Sequence, residues 1–303
     1  MDYDWLSDFE ALAEHRSFSR AADVRNITQP AFSRRIRALE VWIGTALFER
    51  GPQGARLTAA GKSFQPHARD LLGLLNRARR ETRAVGERKT TALAIAATHA
   101  LSFTFFPSWI RRVMRSQALG PINLISDSMA ACEQQMLSGE VQFLLCHVHE
   151  AAAPPLAADR FPSLRVGDDV LVPLCAPTES GGPRWALPGT AAQPTRYLGY
   201  SQASGLGRII AACGGLEIGA TVTGVTSHLA ATLATMARDG HGVAWLPLTL
   251  AAEDLGRGRL VRAGSERFDI PVEIRLFRSA ARLSEAAEDL WRGAGGRVPS
   301  GPG

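Results

Sequence analysis

The stretch FSRAADVRNITQPAFSRRIRALEVWIGTALFER, residues 18–50, decides how the first part of this chain folds. Ser17 or Ser19 offers an N-cap to a short helix over 19–25, built round the small residues Ala21 and Ala22. Asn26 supplies a turn residue. Thr28 is placed to cap the next helix, and Pro30 falls in its first turn, where a missing N–H costs nothing. In AFSRRIRALEVWI the apolar positions Phe32, Ile36, Leu39 and Ile43 form one stripe, while Ser33, Arg34 and Arg37 occupy the other face. Two small helices, a short turn and a basic second helix make a helix-turn-helix.

The sequence on either side fits that unit. Upstream, Leu6, Phe9, Leu12 and Ala13 recur at helical spacing between Trp5 and Arg16. Downstream, Ala46-Leu47-Phe48 and Ala55-Arg56-Leu57 flank a segment containing Gly51, Pro52 and Gly54, the pattern of a hairpin wing. Thr58 then caps a helix expected to run from Ala59 to Val85, carrying Leu71, Leu72, Leu74 and Leu75 among Arg69, Arg77, Arg79, Arg80 and Arg83. At 1.5 Å per residue it is about 40 Å long, too long to bury its apolar side on a small winged unit. A second copy of the same helix is the economical partner, so a homodimer through 59–85 is expected.

Charge is distributed unevenly. Residues 1–89 hold 16 basic and 11 acidic side chains, whereas the remaining 214 residues hold 18 of each. Within residues 16–80 the excess is 13 against 4. A basic module on a neutral body fits duplex DNA as a partner; a solvated basic face is the plainer reading of charge alone. A recognition helix reads base edges near its N-terminus. Gln29 suits adenine, Arg34 suits guanine, and Pro30 suits a thymine methyl. Ser33 and Arg37 fit phosphates or neighbouring bases, Arg50 and Arg56 on the wing fit phosphate or the minor groove, and Ser19 and Thr28 complete the candidate DNA-binding set. Arg35 either joins that face or pairs with Glu40 or another acid.

Beyond Lys89, apolar runs of strand and helix length alternate, which argues an α/β region with largely parallel sheets, about the size of two small lobes. The tail from Gly293, GAGGRVPSGPG, reads as disordered. No run approaches the roughly 18 apolar residues of a membrane span. The opening MDYDWLSDFE has no apolar signal-peptide core, and the four cysteines (Cys132, Cys146, Cys175, Cys213) form no CxxC pair. These features lead to the expectation of a cytoplasmic location with reduced thiols and no membrane partner.

Phe18-Ser19, Ala21-Ala22, Thr28-Gln29-Pro30-Ala31, Ser33-Arg34, Ile36, Leu39-Glu40, Gly44, Leu47-Phe48, Arg50, Leu57-Thr58 and Gly61 occur in order, at the spacing of one family. In them the chain resembles the LysR-type transcriptional regulators, strongly over residues 1–62. Gly199-Tyr200-Ser201 and the segment Gly240, Gly242, Leu246, Pro247 continue the likeness. The wording QPAFSRRIRALE and VAWLP looks closest to the hypochlorite-responsive branch. The resemblance implies a winged helix-turn-helix over 1–58, a linker helix over 59–89 and a two-lobed effector domain over 90–292 of periplasmic-binding-protein type. Lobe one would hold 91–165 with 268–292, and lobe two 166–267. Members usually form tetramers, bend DNA and bind an effector between the lobes.

Three hydroxyl clusters follow expected strands and precede helices: Thr98 with Ser102, Ser201 with Ser204, and Thr226 with Ser227. With His99 and His147 they form the candidate effector set. Strand C-terminal ends and helix N-termini suit a carboxylate or other small oxyanion; simple N-capping is the competing role of each hydroxyl. Cys146-His147-Val148-His149 lacks a second cluster and reads as an ordinary loop rather than a metal site. The chain shows no GxSxG, GxxxxGKS, HExxH or GxGxxG pattern, so no enzyme and no cofactor is expected. Two alternatives stay open: an oxidant-sensing regulator without a bound ligand, and a solute-binding or enzymatic domain fused to the DNA-binding module.

Overall fold

A computed structural model describes residues 2–51, 54–87, 93–114, 120–213 and 218–296. The chain divides into a unit built on residues 1–89 and a second built on 90–136 and 141–303. The first opens with α1 (Tyr3–His15), whose first turn is capped by Asp2 accepting from the Asp4 N–H. Next comes α2 (Phe18–Val24), where Ser17 rather than Ser19 is the cap. Then α3 (Gln29–Ile43) starts at Thr28, whose side chain makes no capping bond, and stops at Gly44 with φ of 86°. β1 (Phe48–Gly51) and β2 (Gly54–Leu57) form an antiparallel hairpin, with Phe48 opposite Leu57. Leu6, Phe9, Leu12, Ala21, Ala22, Phe32, Ile36, Leu39 and Leu47 close one core under all three helices and the wing.

α4 (Ala59–Glu87) runs 29 residues, about 44 Å by its rise per residue. Its start is held tightly: Thr58 Oγ1 accepts from the Gly61 N–H, and any Cβ on Gly61 would lie 2.1 Å from the Leu47 carbonyl oxygen. Only a glycine lets the helix approach the wing so closely.

In the second unit β3 (Leu93–Thr98) lies between β4 (Ile122–Asp127) and β5 (Phe143–Val148), parallel to both. Two antiparallel strands extend that sheet, β11 (Ile270–Arg278) against β5 and β6 (Ser163–Cys175) against β11. The sheet is therefore mixed, not largely parallel as the alternation of runs suggests. β6 is 13 residues long. Its second half also pairs with β9 (Ala244–Pro247) and β10 (Val261–Arg262) in the same sheet. β7 (Thr195–Tyr200) and β8 (Thr221–Ser227) form a parallel pair.

Two lobes follow from where the apolar side chains go. The first core gathers Leu93, Ile95, Phe143, Leu145, Ile274 and Leu276 under α5 (His99–Thr104), α6 (Phe106–Met114) and α11 (Glu285–Gly293). The second gathers Leu171, Val243, Trp245, Phe268, Ile270 and Val272. α8 (Gly205–Ala212), α9 (Ala230–Arg238) and α10 (Leu248–Gly256) cover the second lobe, whereas α7 (Met129–Leu137) belongs to the first. β6 and β11 supply residues to both cores, so these two strands are the crossover between the lobes. Of the tail expected to be disordered, Gly293 closes α11; residues 297–303 lie outside the described residues.

Candidate DNA-binding face and ligand cleft

In the first unit, burial of Phe32, Ile36 and Leu39 turns the opposite side of α3 outward. Gln29, Pro30, Arg34 and Arg37 are exposed, Ser33 is half-buried beside them, and Ser19 and Thr28 are exposed at the neighbouring helix starts. Arg56 is exposed on β2; the Arg50 side chain lies outside the described residues, though its backbone is part of β1. Arg35, left open between two roles, turns to α1 and pairs with Asp4 and Asp8. Asp8 is 0% exposed and also meets Arg25 at 2.6 Å. Glu40 accepts from the Leu47 and Phe48 N–H groups, so it ties α3 to the wing instead of pairing with Arg35. Arg69 likewise faces inward to Glu10 at 2.9 Å. The exposed cations at the start of α3 are thus sorted from those that hold the helices together.

In the second unit the C-terminal ends of β3, β4 and β5 and the starts of α7, α8 and α9 meet at one cleft. Thr98, His99, Asp127, Ser128, Met129, His147, Ser204, Gly205, Leu206 and His228 are among the residues round a cavity of about 30 Å³. That is room for a monatomic or similarly compact group. No Arg or Lys lines it. Thr98 Oγ1 is buried there without a hydrogen-bond partner among the described residues. The His99 ring bonds Ser126 Oγ at 3.0 Å and lies 5.7 Å from the His228 ring. Burial lowers the His99 pKa; Asp127 opposes that and His228 adds to it.

His147 is 6% exposed, and its Nε2 lies 3.2 Å from Asp169 Oδ2. Asp169 also accepts from the Thr249 hydroxyl at 2.6 Å and from the Thr249 and Val170 N–H groups. Burial works against this carboxylate, yet the His147, Thr249 and Val170 hydrogen bonds hold its pKa below the usual range. The lobes are joined beside the cleft by Arg208 on α8, which donates to both Glu133 oxygens on α7 at 2.7 and 2.9 Å. Burial raises the Glu133 pKa, and the bond and charge of Arg208 oppose the rise.

The candidate effector set divides accordingly. Thr98, His99, His147 and Ser204 line the cavity; Ser102, Ser201, Thr226 and Ser227 do not. Ser102 bonds Ser126 and the His99 carbonyl. Ser204 caps α8 by accepting from the Gly207 N–H, and Ser227 accepts from the Leu229 N–H in a local turn before α9. Thr226 is exposed on β8. Asp127, Ser128, Met129 and His228 join the cleft unforeseen, although SDSM after β4 repeats the strand-end-to-helix signal that marks Thr98 and Ser204. Cys146 and His147, successive on β5, point to opposite faces of the sheet. Among the described residues no group of three His, Cys, Asp or Glu is placed to hold a metal ion. Among them, too, no helix is long and apolar enough to cross a membrane.

Comparison with known proteins bears on both sites. Residues 3–62 match the bacterial regulatory helix-turn-helix protein, lysR family, and residues 86–296 match the LysR substrate binding domain. The chain is 33% identical to the HTH-type transcriptional regulator YjiE of Escherichia coli over 291 residues, 95% of this chain and 92% of that one. It is similar in structure to full-length HypT of Salmonella typhimurium, described as a hypochlorite-specific LysR-type regulator, with TM-score 0.57, 31% identity and 96% of each chain covered. The bromide-bound regulatory domain of the same HypT matches with TM-score 0.57 and 26% identity, over 68% of this chain and 95% of that one. With a helix-turn-helix at one end, a two-lobed α/β domain at the other and both halves matched, the chain belongs to the LysR family of DNA-binding transcription regulators.

Proposed function

We propose that α3 enters the major groove with Gln29 and Arg34 on base edges and Pro30 against a thymine methyl. Ser19, Thr28, Ser33, Arg37, Arg50 and Arg56 sit on or beside the backbone. Two copies pair through α4, whose Leu71, Leu74 and Leu75 stay exposed in the single chain, and two such dimers form the tetramer usual for the family. The protein works in the cytoplasm, where its DNA is. A compact anion in the cleft favours one arrangement of the lobes and so alters the DNA bend, in proportion to its preference for that arrangement. The observation that carries the cleft reading is Thr98 Oγ1, buried without a partner among the described residues at the meeting point of the α7, α8 and α9 N-termini, where backbone N–H groups favour negative charge. The bromide held by the related regulatory domain fits the same chemistry. Thr98→Val is expected to keep operator binding and lose the response in a reporter assay, while Ser201→Ala, outside the cavity, keeps both. A normal response in Thr98→Val overturns the reading.

One observation favours oxidant sensing as a second reading: the Met129 thioether lines the cleft. Hypochlorous acid would transfer oxygen to it, leaving sulfoxide and chloride. The thiols are poor alternatives, since burial raises the Cys132 pKa to about 12 and also raises those of Cys146, Cys175 and Cys213. Met236 packs against the second lobe's core, away from the cavity. Loss of a hypochlorite response in Met129→Leu, with the response otherwise present, would favour this reading over a reversible ligand.

A further inference from the structure

Taken as an anion site, the cavity is of an unusual kind. No Arg or Lys lines it, Asp127 brings a carboxylate to its wall, and its cationic capacity lies in imidazoles. One of these differs from the rest. His147 is buried, its Nε2 is engaged by the Asp169 carboxylate, and its Nδ1 has no hydrogen-bond partner among the described residues while the ring lines the cavity. A neutral ring fixed in this way donates to Asp169 through Nε2 and presents Nδ1 as an acceptor, which an anion does not want. A proton on Nδ1 reverses that, giving a donor toward the cavity that Thr98 also lines and a positive charge already facing a buried counter-ion.

We propose, building on the compact-anion reading above, that the cleft takes up its anion together with one proton from solvent, which resides on His147. Asp169 is the positioning residue. It lies on β6, a strand shared by both lobes, and it is bonded to Thr249 at the start of α10. Charging His147 therefore strengthens a connection from β5 of the first lobe to the crossover strand and the second lobe. The charged and titratable groups on the surrounding elements are compatible with this role. Glu133 is closed by Arg208. Glu273 and Arg275, flanking the Ile274 that sits opposite His147, pair with each other at 2.6 Å. Asp127 favours a cation nearby, whereas His99 and His228 are set against each other.

Sodium bromide, titrated by calorimetry into the full-length protein in chloride-free buffers of different ionisation heat, tests this between about pH 6 and 8.5. Linkage requires affinity to fall as pH rises across that window, by up to about tenfold per pH unit, with about one proton taken up per bromide. A folded His147→Gln variant is expected to bind more weakly with no uptake, Asp169→Asn to show reduced uptake, and a His99→Gln/His228→Gln double variant, which also alters the cavity wall, to bind more weakly while still taking up about one proton per bromide bound. Bromide binding with constant affinity and no proton uptake overturns the proposal and leaves the compact-anion site standing. So does full uptake in His147→Gln. No bromide binding at any pH overturns both. Should His147→Gln not fold, wild-type uptake that persists in the His99→Gln/His228→Gln variant places the proton on His147, and uptake lost in that variant overturns the proposal.

Discussion

Asp169 shows how much a single carboxylate can depend on its neighbours. It is buried, yet hydrogen bonds keep its pKa below the ordinary range. The unfolded chain then binds more protons than the folded one at acid pH, so this group's contribution is present above the ordinary carboxylate value and is lost as pH falls through the folded one. Asp169→Asn is expected to lower stability by about 2 kcal/mol near neutrality, on the scale of lost charged hydrogen bonds. Thermal melts should show that deficit shrinking below about pH 4, the ordinary carboxylate range; an equal deficit at all pH values would contradict the assignment. Glu288, held low by Arg278, adds an acid sensitivity of the same sign. Other residues show where local sequence reading stops. Gln29 and Arg34 are legible because a cap, an apolar stripe and a turn fix the helical face within 15 residues. The partner of Arg35 is not, because Asp8 lies on another helix; the five-residue spacing of Arg35 and Glu40 on α3 disfavours that pair but does not name the acid that replaces it.

Among the elements, α4 carries the clearest prediction. Leu71, Leu74 and Leu75 are 38%, 53% and 46% exposed, an apolar strip along a helix that buries Leu72 and Ala68 on its own unit. Replacing Leu71 and Leu75 together by Arg would place unpaired charge in the seam, at a cost no dimer of this size withstands easily. Sedimentation should find monomer; an intact dimer would remove α4 from the interface. The α7–α8 connection is a second case. Arg208→Ala leaves Glu133 buried and alone, at a cost of about 2 kcal/mol, below that of a fully buried pair because Arg208 is 35% exposed. Adding Glu133→Gln should recover most of the lost melting temperature, whereas an additive loss would mean the pair holds nothing together. The charged first half of β6 is the element least visible in the sequence. Apolar content marks the strand only from Val170, since Arg165, Asp168 and Asp169 interrupt the pattern with ion pairs and the His147 bond. Without that half, neither the mixed sheet nor the position of the crossover can be read.

At the scale of the whole molecule, the two functions differ in how they are written. The DNA-binding unit is encoded by consecutive residues, so its motif survives in a linear reading. The cleft gathers Thr98, Asp127, His147, Ser204 and His228 from five strand–helix junctions. Each junction taken alone looks like a capped helix, and Ser204 is indeed a cap, while Ser227 closes a local turn. Only assembly of the sheet separates Thr98 and His147 from Ser201 and Thr226. Concentration of positive charge in residues 16–80 predicts a steep salt dependence of DNA affinity, with a log–log slope of about −0.9 per phosphate neutralised. Gel-shift titrations across salt should show it equally for Arg37→Ala and wild type apart from a loss of about one unit of slope. Whether α3 reads sequence is decided by footprinting the DNA upstream of the protein's own gene. Wild type should protect paired half-sites about one helical turn apart. Gln29→Ala should tolerate change at one base pair of each half-site, a loss of about 1–3 kcal/mol of discrimination. Unchanged base preference and affinity in Gln29→Ala would contradict the placement of α3 in the groove.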